Sequence, residues 1–254
     1  MSPKPLAIIT TYGRFELTQL MLESLGPSAD CLDIIIVDNG SGEEMQSWLE
    51  SWAVQNNARA MLFQTNVGCP KALNAALAHR RQGQAVIKLD NDIDLLSTGW
   101  VTGIKRLAAY WRGLGRHLAM ISAYYEPWQQ QRVTGKEEFE RKTVWHIQPV
   151  VGHAVYHTAE FMDRVGHFDV LREDHIYGFE DLLLSHKATH LGWECIAWEG
   201  WMIENLQRQS ALTRNVRDDH VTEMRPLYKR RIMAMQLSGS VHTNSDGLPD
   251  HNGG

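Results

Sequence analysis

The sequence predicts an α/β fold, in which a mostly parallel central sheet carries helices on both faces within a single compact domain. Short β-branched runs alternate with stretches whose apolar residues recur at helical spacing, an order typical of α/β proteins. The strand predicted at Asp33–Val37 contains the unbroken apolar run IIIV, which indicates burial on both faces, as in a parallel sheet. Polar residues directly follow the predicted strands, at the edge where open α/β sheets bind ligands.

The order of elements follows from hydrophobic periodicity and from the turn residues between the runs. In the first half of the chain, strands are predicted at 6–10, 33–37, 60–63 and from 86, with helices at 17–25, 43–54 and 71–80. In the second half, the pattern predicts a helix at 98–118, a strand at 119–125, a mobile polar loop at 126–142, a helix around Asp181, a strand at 194–198 and a basic helix at 222–237. We divide the domain into halves at 1–97 and 98–237, and the Gly-, Ser- and Asn-rich tail at 238–254 is expected to be disordered.

Composition restricts the class of protein. The 254 residues carry a net charge of -5 with a pI near 6.2, so the overall charge gives no reason to expect a nucleic-acid partner. The three cysteines are far apart and fit neither a disulfide framework nor a CxxC metal site, which favours a cytoplasmic location. No stretch of the sequence approaches the roughly 20 apolar residues of a membrane span, so membrane attachment would be peripheral.

The stretch Val86–Leu95, VIKLDNDIDL, is an apolar strand that ends in three aspartates at alternating positions. Alternate side chains of an extended chain lie on one side, so Asp90, Asp92 and Asp94 would crowd together. Neighbouring carboxylates repel each other, and the remedies are a bound hard cation, solvent exposure or a raised pKa. A cation with oxygen ligands at the edge of a sheet is a common means of binding a diphosphate.

Three further polar segments are predicted at the same edge. Thr10–Tyr12 follows the first strand, Asp38–Ser41 follows the second, and Asn66–Asn74 contains a glycine turn that opens a helix. Because the carboxyl ends of parallel strands meet at one edge, we expect these segments to lie close to one another.

The order of these segments resembles the nucleotide-sugar-binding half of glycosyltransferase family 2, which has the GT-A fold. The matching motifs are TYGR after the first strand, VDNGS after the second, NVGCPKALNAAL before a helix, and LDNDIDLLSTGW. Farther on, VGHFDVLREDHIYGFEDLLLSHKATHLGW is similar to the second signature of that family, a Gly-Phe-Asp turn followed by a Gly-x-Glu-Asp segment that opens a helix. The resemblance spans about residues 5–200.

The resemblance implies a metal-dependent inverting glycosyltransferase with a nucleotide-diphosphate sugar as donor. Asp90 and Asp92 would form the Asp-x-Asp pair that holds Mg²⁺ or Mn²⁺ at the donor's phosphates. Asp181, beside Glu180, matches the catalytic base of inverting members, which accepts the proton of an acceptor hydroxyl. The donor-binding residues that the match implies are Thr10, Thr11, Tyr12, Arg14, Asp38, Asn39, Asn66, Gly68, Lys71, Asp90 and Asn91.

The acceptor side is predicted from aromatic residues and one histidine of the second half. Indole faces stack on sugar rings, and Trp128 and Trp145 flank a polar stretch, so both are candidates for acceptor contact, with His153 as a third. The acceptor itself stays open among saccharides, lipid-linked carriers and other hydroxyl compounds. The basic helix at 222–237 has two interpretations, a solvated face or peripheral contact with anionic lipid, polymer or a partner.

Two departures from the family pattern keep other functions open. Asn39 stands where many relatives have a second acidic residue, so recognition of the nucleotide base would differ. The region WMIENLQRQS lacks the histidine that many relatives use as a further metal ligand, with Glu204 or His220 as candidate replacements. The alternatives are a non-catalytic sugar-nucleotide-binding protein of the same fold and a nucleotidyltransferase.

Overall fold

The computed structural model describes residues 3–124, 133–150, 152–206 and 214–238, with side chains in the last range described for 222–236. Within these ranges the strands are β1 (Leu6–Thr11), β2 (Asp33–Asp38), β3 (Arg59–Leu62), β4 (Val86–Asp90), β5 (Ile93–Leu95), β6 (Leu118–Tyr124), β7 (Val133–Phe139), β8 (Lys142–Ile147), β9 (Ala154–His157) and β10 (Glu194–Asn205). The α-helices are α1 (Phe15–Leu25), α2 (Glu43–Gln55), α3 (Cys69–Leu77), α4 (Trp100–Gly113), α5 (Ala159–Val165), α6 (Glu180–His190) and α7 (Arg214–Ser238). A short 3₁₀ helix, Gly26–Cys31, follows α1.

The strands form one sheet in the order β3-β2-β1-β4-β9-β6-β10-β8-β7, with β5 paired to β10 off that path. The first four strands in this order run parallel to one another, and β6 runs parallel to β10. Strand β9 is antiparallel to both β4 and β6, and β8 is antiparallel to both β10 and β7. The predicted α/β fold, a single domain around a mostly parallel sheet, is confirmed.

The alternating side chains of the strands divide the core into two layers, because successive residues of a strand face opposite sides of the sheet. Ile9 and Ile36 belong to the layer under α1, α2 and α4, whereas Ile8 and Ile35 belong to the layer under α3, α5 and α6. These four side chains are at most 5% exposed. Both faces of the central strands are therefore covered by helices, as the apolar run in β2 predicts.

The β7–β8 hairpin corrects the prediction of a mobile loop at 126–142. Residues 126–132 lie outside the described residues, but 133–139 and 142–147 pair as antiparallel strands at one edge of the sheet. Because an edge strand is half solvated, β7 alternates exposed polar residues with partly buried ones, and its sequence resembles a loop. Arg116 joins this hairpin to the sheet, since its guanidinium donates to Glu137 at 2.7 and 2.9 Å and to Glu194 at 2.7 Å.

The other boundaries agree with the predicted elements except at some ends. Helix α4 ends at Gly113 instead of residue 118, β10 continues to Asn205, and α7 begins at Arg214. The tail predicted to be disordered lies, from residue 239, outside the described residues. None of the helices in the described ranges combines the length and the apolar character that crossing a membrane requires.

His157, the last residue of β9, is fully buried between β4 and β6, where it lies opposite Val86 and Met120. Neither ring nitrogen has a hydrogen-bond partner among the described residues. The ring packs edge-on against Phe168, with centroids 5.6 Å apart. Burial, together with the charge of Lys88, lowers the pKa of His157 to about 3, so the imidazole is neutral in the folded protein.

We expect His157 to make the protein less stable as the pH falls. Its folded pKa lies below the ordinary value, so the unfolded state takes up the proton first. Between about pH 6.5 and the folded pKa, the free energy of unfolding should fall by roughly 1.4 kcal/mol per pH unit on account of this group. His157→Phe keeps an aromatic ring without the titrating group and should remove this part of the slope, measured by urea denaturation from about pH 7 to about pH 5.

The matched control is His117→Phe, which makes the same substitution at an exposed histidine. If His157→Phe and the unchanged protein lost stability equally over this range, the buried neutral imidazole would not be the cause.

Candidate active site

The carboxyl ends of β1, β2 and β4 lie side by side. Their register places Thr11 opposite Asp38 and Thr10 opposite Asp90. The first turn of α3 reaches the same edge, since the Cys69 thiol lies 3.8 Å from the Thr10 hydroxyl. The prediction that these segments share one edge of the sheet is therefore confirmed.

The turn after β2 is closed by its own hydrogen bonds. The Asp38 carboxylate is fully buried and accepts from the Thr11 hydroxyl at 2.9 Å and from the Gln46 amide at 2.8 Å. It also accepts from the backbone N–H groups of Gly40, at 3.2 Å, and Ser41, at 2.9 Å. These bonds hold the turn in place, and direct contact of Asp38 with a nucleotide stays a prediction.

Asn39 connects this turn to the start of α3. Its side chain donates to Asn66 at 2.9 Å and accepts from the Val67 N–H at 2.9 Å, and Asn66 accepts from the Gly68 N–H at 2.9 Å. Gly68 has a φ of 93°, and a Cβ on it would lie 2.1 Å from the carbonyl oxygen of His175. Only glycine adopts this conformation at so short a distance from a backbone oxygen. Gly68 therefore allows the start of α3 to pack against the loop before α6.

Two other predicted donor residues differ in exposure. Tyr12 is 58% exposed and faces solvent beyond the end of β1. Asn91 is buried, and its amide donates to the Thr18 hydroxyl of α1 at 2.9 Å. Asn91 therefore anchors the turn after β4, and contact of either residue with a donor stays a prediction.

Asp90, Asp92 and His153 form a group whose chemistry fits a divalent cation. One ligand atom from each residue lies within 4.8 Å of the other two. His153 Nδ1 is 3.0 Å from Asp90 Oδ2, about the spacing of adjacent ligand atoms in an octahedral shell. Carboxylates suit Mg²⁺ and Mn²⁺, and an imidazole adds affinity for transition metals. We call these three residues the cation group.

Neighbouring side chains orient the cation group. Arg14 has a left-handed backbone at the start of α1, with a φ of 56°, and donates to Asp92 at 2.5 Å. The amide of Asn205, at the end of β10, lies 3.2 Å from His153 Nε2. Glu204, a candidate for the missing metal ligand, is exposed and is not part of the group. Among the described residues, His153 is therefore the candidate for a nitrogen ligand. The side chain of His220 lies outside the described residues.

Lys88 is a charged residue in a buried row of side chains that crosses the sheet. Its neighbours in register are Ile8 on β1 and Val155 on β9, which belong to the apolar layer under α3, α5 and α6. Lys88 is 2% exposed. Its side chain extends through this layer to the first turn of α6.

The Lys88 ammonium contacts carboxylates from both halves of the chain. Its Nζ lies 2.8 Å from Asp181 Oδ2, 3.1 Å from Asp90 Oδ1 and 3.8 Å from Glu180 Oε1. It also donates to the carbonyl oxygen of Gly152 at 3.0 Å. Burial alone would lower the pKa of Lys88, but the charges of these carboxylates raise it well above its ordinary value, so the ammonium stays charged.

The two aspartates beside Lys88 have opposite pKa shifts. Burial alone would raise the pKa of Asp90, yet the charge of Lys88 and the hydrogen bond with His153 lower it to about 2. For Asp181, burial is the largest effect and, with the charge of Glu180, raises the pKa to about 7 although Lys88 opposes it. Asp90 is therefore always a carboxylate, whereas Asp181 exchanges a proton near neutral pH.

The chain turns sharply into α6 just before the two acidic residues. Gly178 and Phe179 both have left-handed backbones, with φ of 95° and 70°. Glu180 and Asp181 fill the first turn of α6, where the helix dipole favours carboxylates, and both are buried. Asp181 Oδ1 is buried and has no hydrogen-bond partner among the described residues.

A cavity of about 120 Å³ connects the cation group to Asp181. This volume accommodates a few water molecules or the reacting part of a ligand. The residues on its walls include Lys88, Asp90, His153, Tyr177, Phe179 and Asp181.

Trp145 and Lys71, two of the remaining predicted residues, do not line this cavity in the described structure. Trp145 is on β8, where its ring stacks on Tyr124 with centroids 6.2 Å apart, and it does not line the cavity in the described structure. Lys71 on α3 donates to the carbonyl oxygen of Glu173 at 2.7 Å. Trp128 lies outside the described residues. Acceptor contact by either tryptophan stays a prediction.

Lys88 was not among the predicted site residues. His153 was predicted to contact the acceptor, and in the structure it lies in the cation group. The signal for Lys88 was a charged residue in an apolar strand, two positions before Asp90 and hence on the same face. His153 gave no such signal, because it meets Asp90 only through the pairing of β9 with β4, where the Asp90 N–H donates to the His153 carbonyl at 2.8 Å.

The fold and the site define a glycosyltransferase of the GT-A class. Mannosyltransferase PcManGT from Pyrobaculum calidifontis, solved with GDP-Man and Mn²⁺, is similar with a TM-score of 0.63 and 18% identity, over 94% of this chain and 71% of that one. TarS 1–349 from S. aureus has a TM-score of 0.59 and 16% identity, over 93% and 71%. GalNAc-T7, solved with UDP, GalNAc and Mn²⁺, has a TM-score of 0.61 and 14% identity, over 89% and 50%. At these identities the likeness establishes the fold.

The sequence identifies the family within this class. Residues 6–174 match the profile named Glycosyl transferase family 2, and the chain therefore belongs to glycosyltransferase family 2. No curated protein sequence matches the chain. The matched region ends before Asp181, so α6 and α7 lie beyond it.

We expect Lys88→Met to destabilise the protein by about 3–5 kcal/mol, because it leaves buried carboxylates without their counter-ion. Urea denaturation measures the loss. The double variant Lys88→Met/Asp181→Asn should recover part of it, since one of those carboxylates then carries no charge.

Lys142→Met is the matched control for this substitution, because Lys142 is exposed at the start of β8 and should change stability by less than about 0.5 kcal/mol. Equal stabilities of Lys88→Met and Lys142→Met would contradict the role of Lys88 as the central counter-ion.

Proposed function

We propose that this chain is a metal-dependent, inverting glycosyltransferase that moves a sugar from a nucleotide-diphosphate sugar to an acceptor hydroxyl. The donor would lie over residues 1–97, and the acceptor would approach from the side formed by 98–237. The observation that carries this proposal is the shared cavity, in which Asp90 and His153 of the cation group and the carboxylate of Asp181 line one space of about 120 Å³. Direct transfer between two substrates requires such proximity.

The cation group would hold the metal at the donor's diphosphate. Bound there, a divalent cation would offset the negative charge that develops on the leaving group. The imidazole of His153 favours Mn²⁺ over Mg²⁺, because Mg²⁺ prefers an all-oxygen shell. The presence of Mn²⁺ with GDP-Man in PcManGT and with UDP in GalNAc-T7 supports this choice of metal and of donor class.

Asp181 would act as the base. Its Oδ2 is held by Lys88 at 2.8 Å, which leaves Oδ1 to accept a proton, and a pKa of about 7 suits a base that works near neutral pH. In a single displacement, the acceptor oxygen bonds to the anomeric carbon, the bond from that carbon to the diphosphate breaks, and the hydroxyl proton passes to Asp181. The configuration of the sugar is inverted as a result.

We expect Asp181→Asn to lower the rate of nucleoside diphosphate release by about 10²–10⁴-fold, because an amide cannot take the proton. The donor is first found by a thermal-shift screen of nucleotide-diphosphate sugars with Mn²⁺, since a bound ligand raises the apparent Tm. Release is then measured with water as the acceptor. In the unchanged protein, the rate should fall as the pH drops below about 7, where Asp181 becomes protonated.

Asp163→Asn is the control. Asp163 is exposed on α5, and its carboxylate pairs with Arg80 at 2.6 Å. Full activity of Asp181→Asn would remove the proposed base. Donor binding without any turnover in the unchanged protein would favour a non-catalytic binding protein, and pyrophosphate as product would favour a nucleotidyltransferase.

We expect Asp92→Ala and His153→Ala each to weaken Mn²⁺ binding by at least about tenfold, since each removes a ligand. Isothermal titration calorimetry with MnCl₂ measures this without relying on turnover. His153→Ala should also reduce the preference for Mn²⁺ over Mg²⁺.

Asp94→Asn serves as the control, because Asp94 lies on β5 outside the cation group. Unchanged Mn²⁺ affinity in both alanine variants would place the metal elsewhere.

A further inference from the structure

Helix α7 lies against the segment that carries the proposed base, although none of its residues lines the cavity in the described structure. It follows the part of the chain that matches the family profile, which ends at residue 174. Its contacts with α6 therefore lie outside the part of the chain that matches the profile.

The first contact is with Phe179, the residue directly before Glu180 and Asp181. The ring of Tyr228 stacks on the ring of Phe179, with centroids 4.7 Å apart and planes at 22°. The left-handed backbone of Phe179 is unfavourable for a residue with a Cβ, so surrounding contacts must hold it. Tyr228 supplies a contact on the ring of this strained residue.

The second contact is with α6 itself. The hydroxyl of Tyr228 lies 2.8 Å from His186 Nε2. His186 is on α6, beyond Asp181, whereas Phe179 comes just before it. One tyrosine therefore contacts the chain on both sides of Asp181.

An ion-pair cluster at Arg231, three residues after Tyr228 and therefore on the same face of α7, links this face to α6 through Asp169. Arg231 donates to Asp169 Oδ1 at 3.1 Å, and Asp169 Oδ2 lies 2.7 Å from the ammonium of Lys187 on α6. Asp169 and Lys187 are at most 4% exposed, and Met224 of α7 is fully buried. Arg231 of α7, whose side chain is 42% exposed, and Lys187 of α6 thus share the buried carboxylate of Asp169, so α7 rests on α6 at this point.

We propose that Tyr228 is a positioning residue of the reaction, which holds Phe179 and the first turn of α6 so that Asp181 keeps its place on the cavity wall, shielded from water. This inference rests on the proposed role of Asp181 as the base. Phe179 lines the cavity beside Asp181, so releasing its ring would admit water to the carboxylate.

Displacement of the Phe179 ring would change the pH dependence of the reaction. Burial is the main cause of the raised pKa of Asp181, and the charged groups that face it, Lys88, Glu180 and Asp90, are all outside α7. Admitting water would therefore lower the pKa of Asp181 with these charges unchanged. A merely structural role of Tyr228 would not move it.

The test compares Tyr228→Leu, which removes the ring, with Tyr228→Phe, which keeps the stack and loses the hydroxyl. We expect Tyr228→Leu to lower kcat at least about tenfold, because small displacements of a reacting group are costly, and to leave the donor KM within about twofold. The midpoint of its pH–rate profile should shift to lower pH. Tyr228→Phe should restore most of kcat and the original midpoint.

Tyr110→Leu is the matched control, because Tyr110 also packs on an aromatic ring, that of Phe139 at 5.2 Å, far from the cavity. It should leave kcat and the midpoint unchanged. If Tyr228→Leu does not fold, Tyr228→Met, which fills more of the space, carries the same comparison.

A folded Tyr228→Leu with unchanged kcat and midpoint would overturn the proposal, as would a fall in kcat that Tyr110→Leu reproduces. The activity of Asp181→Asn separates this failure from failure of the proposed function. If Asp181→Asn is inactive and Tyr228→Leu behaves like the unchanged protein, only the role of Tyr228 is lost.

Discussion

The rest of the site depends on one buried cation, the ammonium of Lys88. It lies within 3.1 Å of one carboxylate from the cation group and of another from α6, inside a layer that is mainly apolar. Charges in such surroundings are tolerated only when they are paired, so the two acidic elements are stable together and unstable apart. The same arrangement gives the aspartates different properties: Asp90 stays ionised, and Asp181 titrates near neutral pH. A single side chain thus pairs the two acidic elements, and its two neighbouring aspartates differ in protonation.

Much of the fold could be predicted because local sequence and long-range structure agree in the first half. The run IIIV of β2, the alternating helices and the polar strand ends specify a parallel sheet with one functional edge, and the structure has that sheet. The proximity of Asp90 and Asp92 to Asp181 followed from the resemblance to a family and not from periodicity. Which of these residues act in catalysis stays a prediction.

The features that were missed all depend on partners that are remote in sequence. The β7–β8 hairpin is polar and half solvated, and its regular structure comes from pairing at the sheet edge and from Arg116. His153 joins Asp90 only because β9 inserts antiparallel beside β4. Lys88 is a charged residue in an apolar strand, and its counter-ions Glu180 and Asp181 come from α6, a remote part of the sequence. Hydrophobic periodicity indicates which face of an element is buried, but it does not indicate which other elements pack against that face.

The close approach of Gly68 to His175 has a consequence for how the molecule reaches its native state. Next to this contact, the Cys69 N–H donates to the carbonyl oxygen of Ile176 at 2.7 Å, and the Cys69 thiol lies 3.8 Å from Glu180, 111 residues later in the chain. Closing so long a loop costs conformational entropy, which is offset only when the intervening strands have paired. Contacts between residues this remote in sequence also slow folding. The start of α3 and the loop before α6 should therefore come together late and cooperatively. A nascent chain that ends before α6 would leave a partly open sheet edge, which is the state most exposed to aggregation.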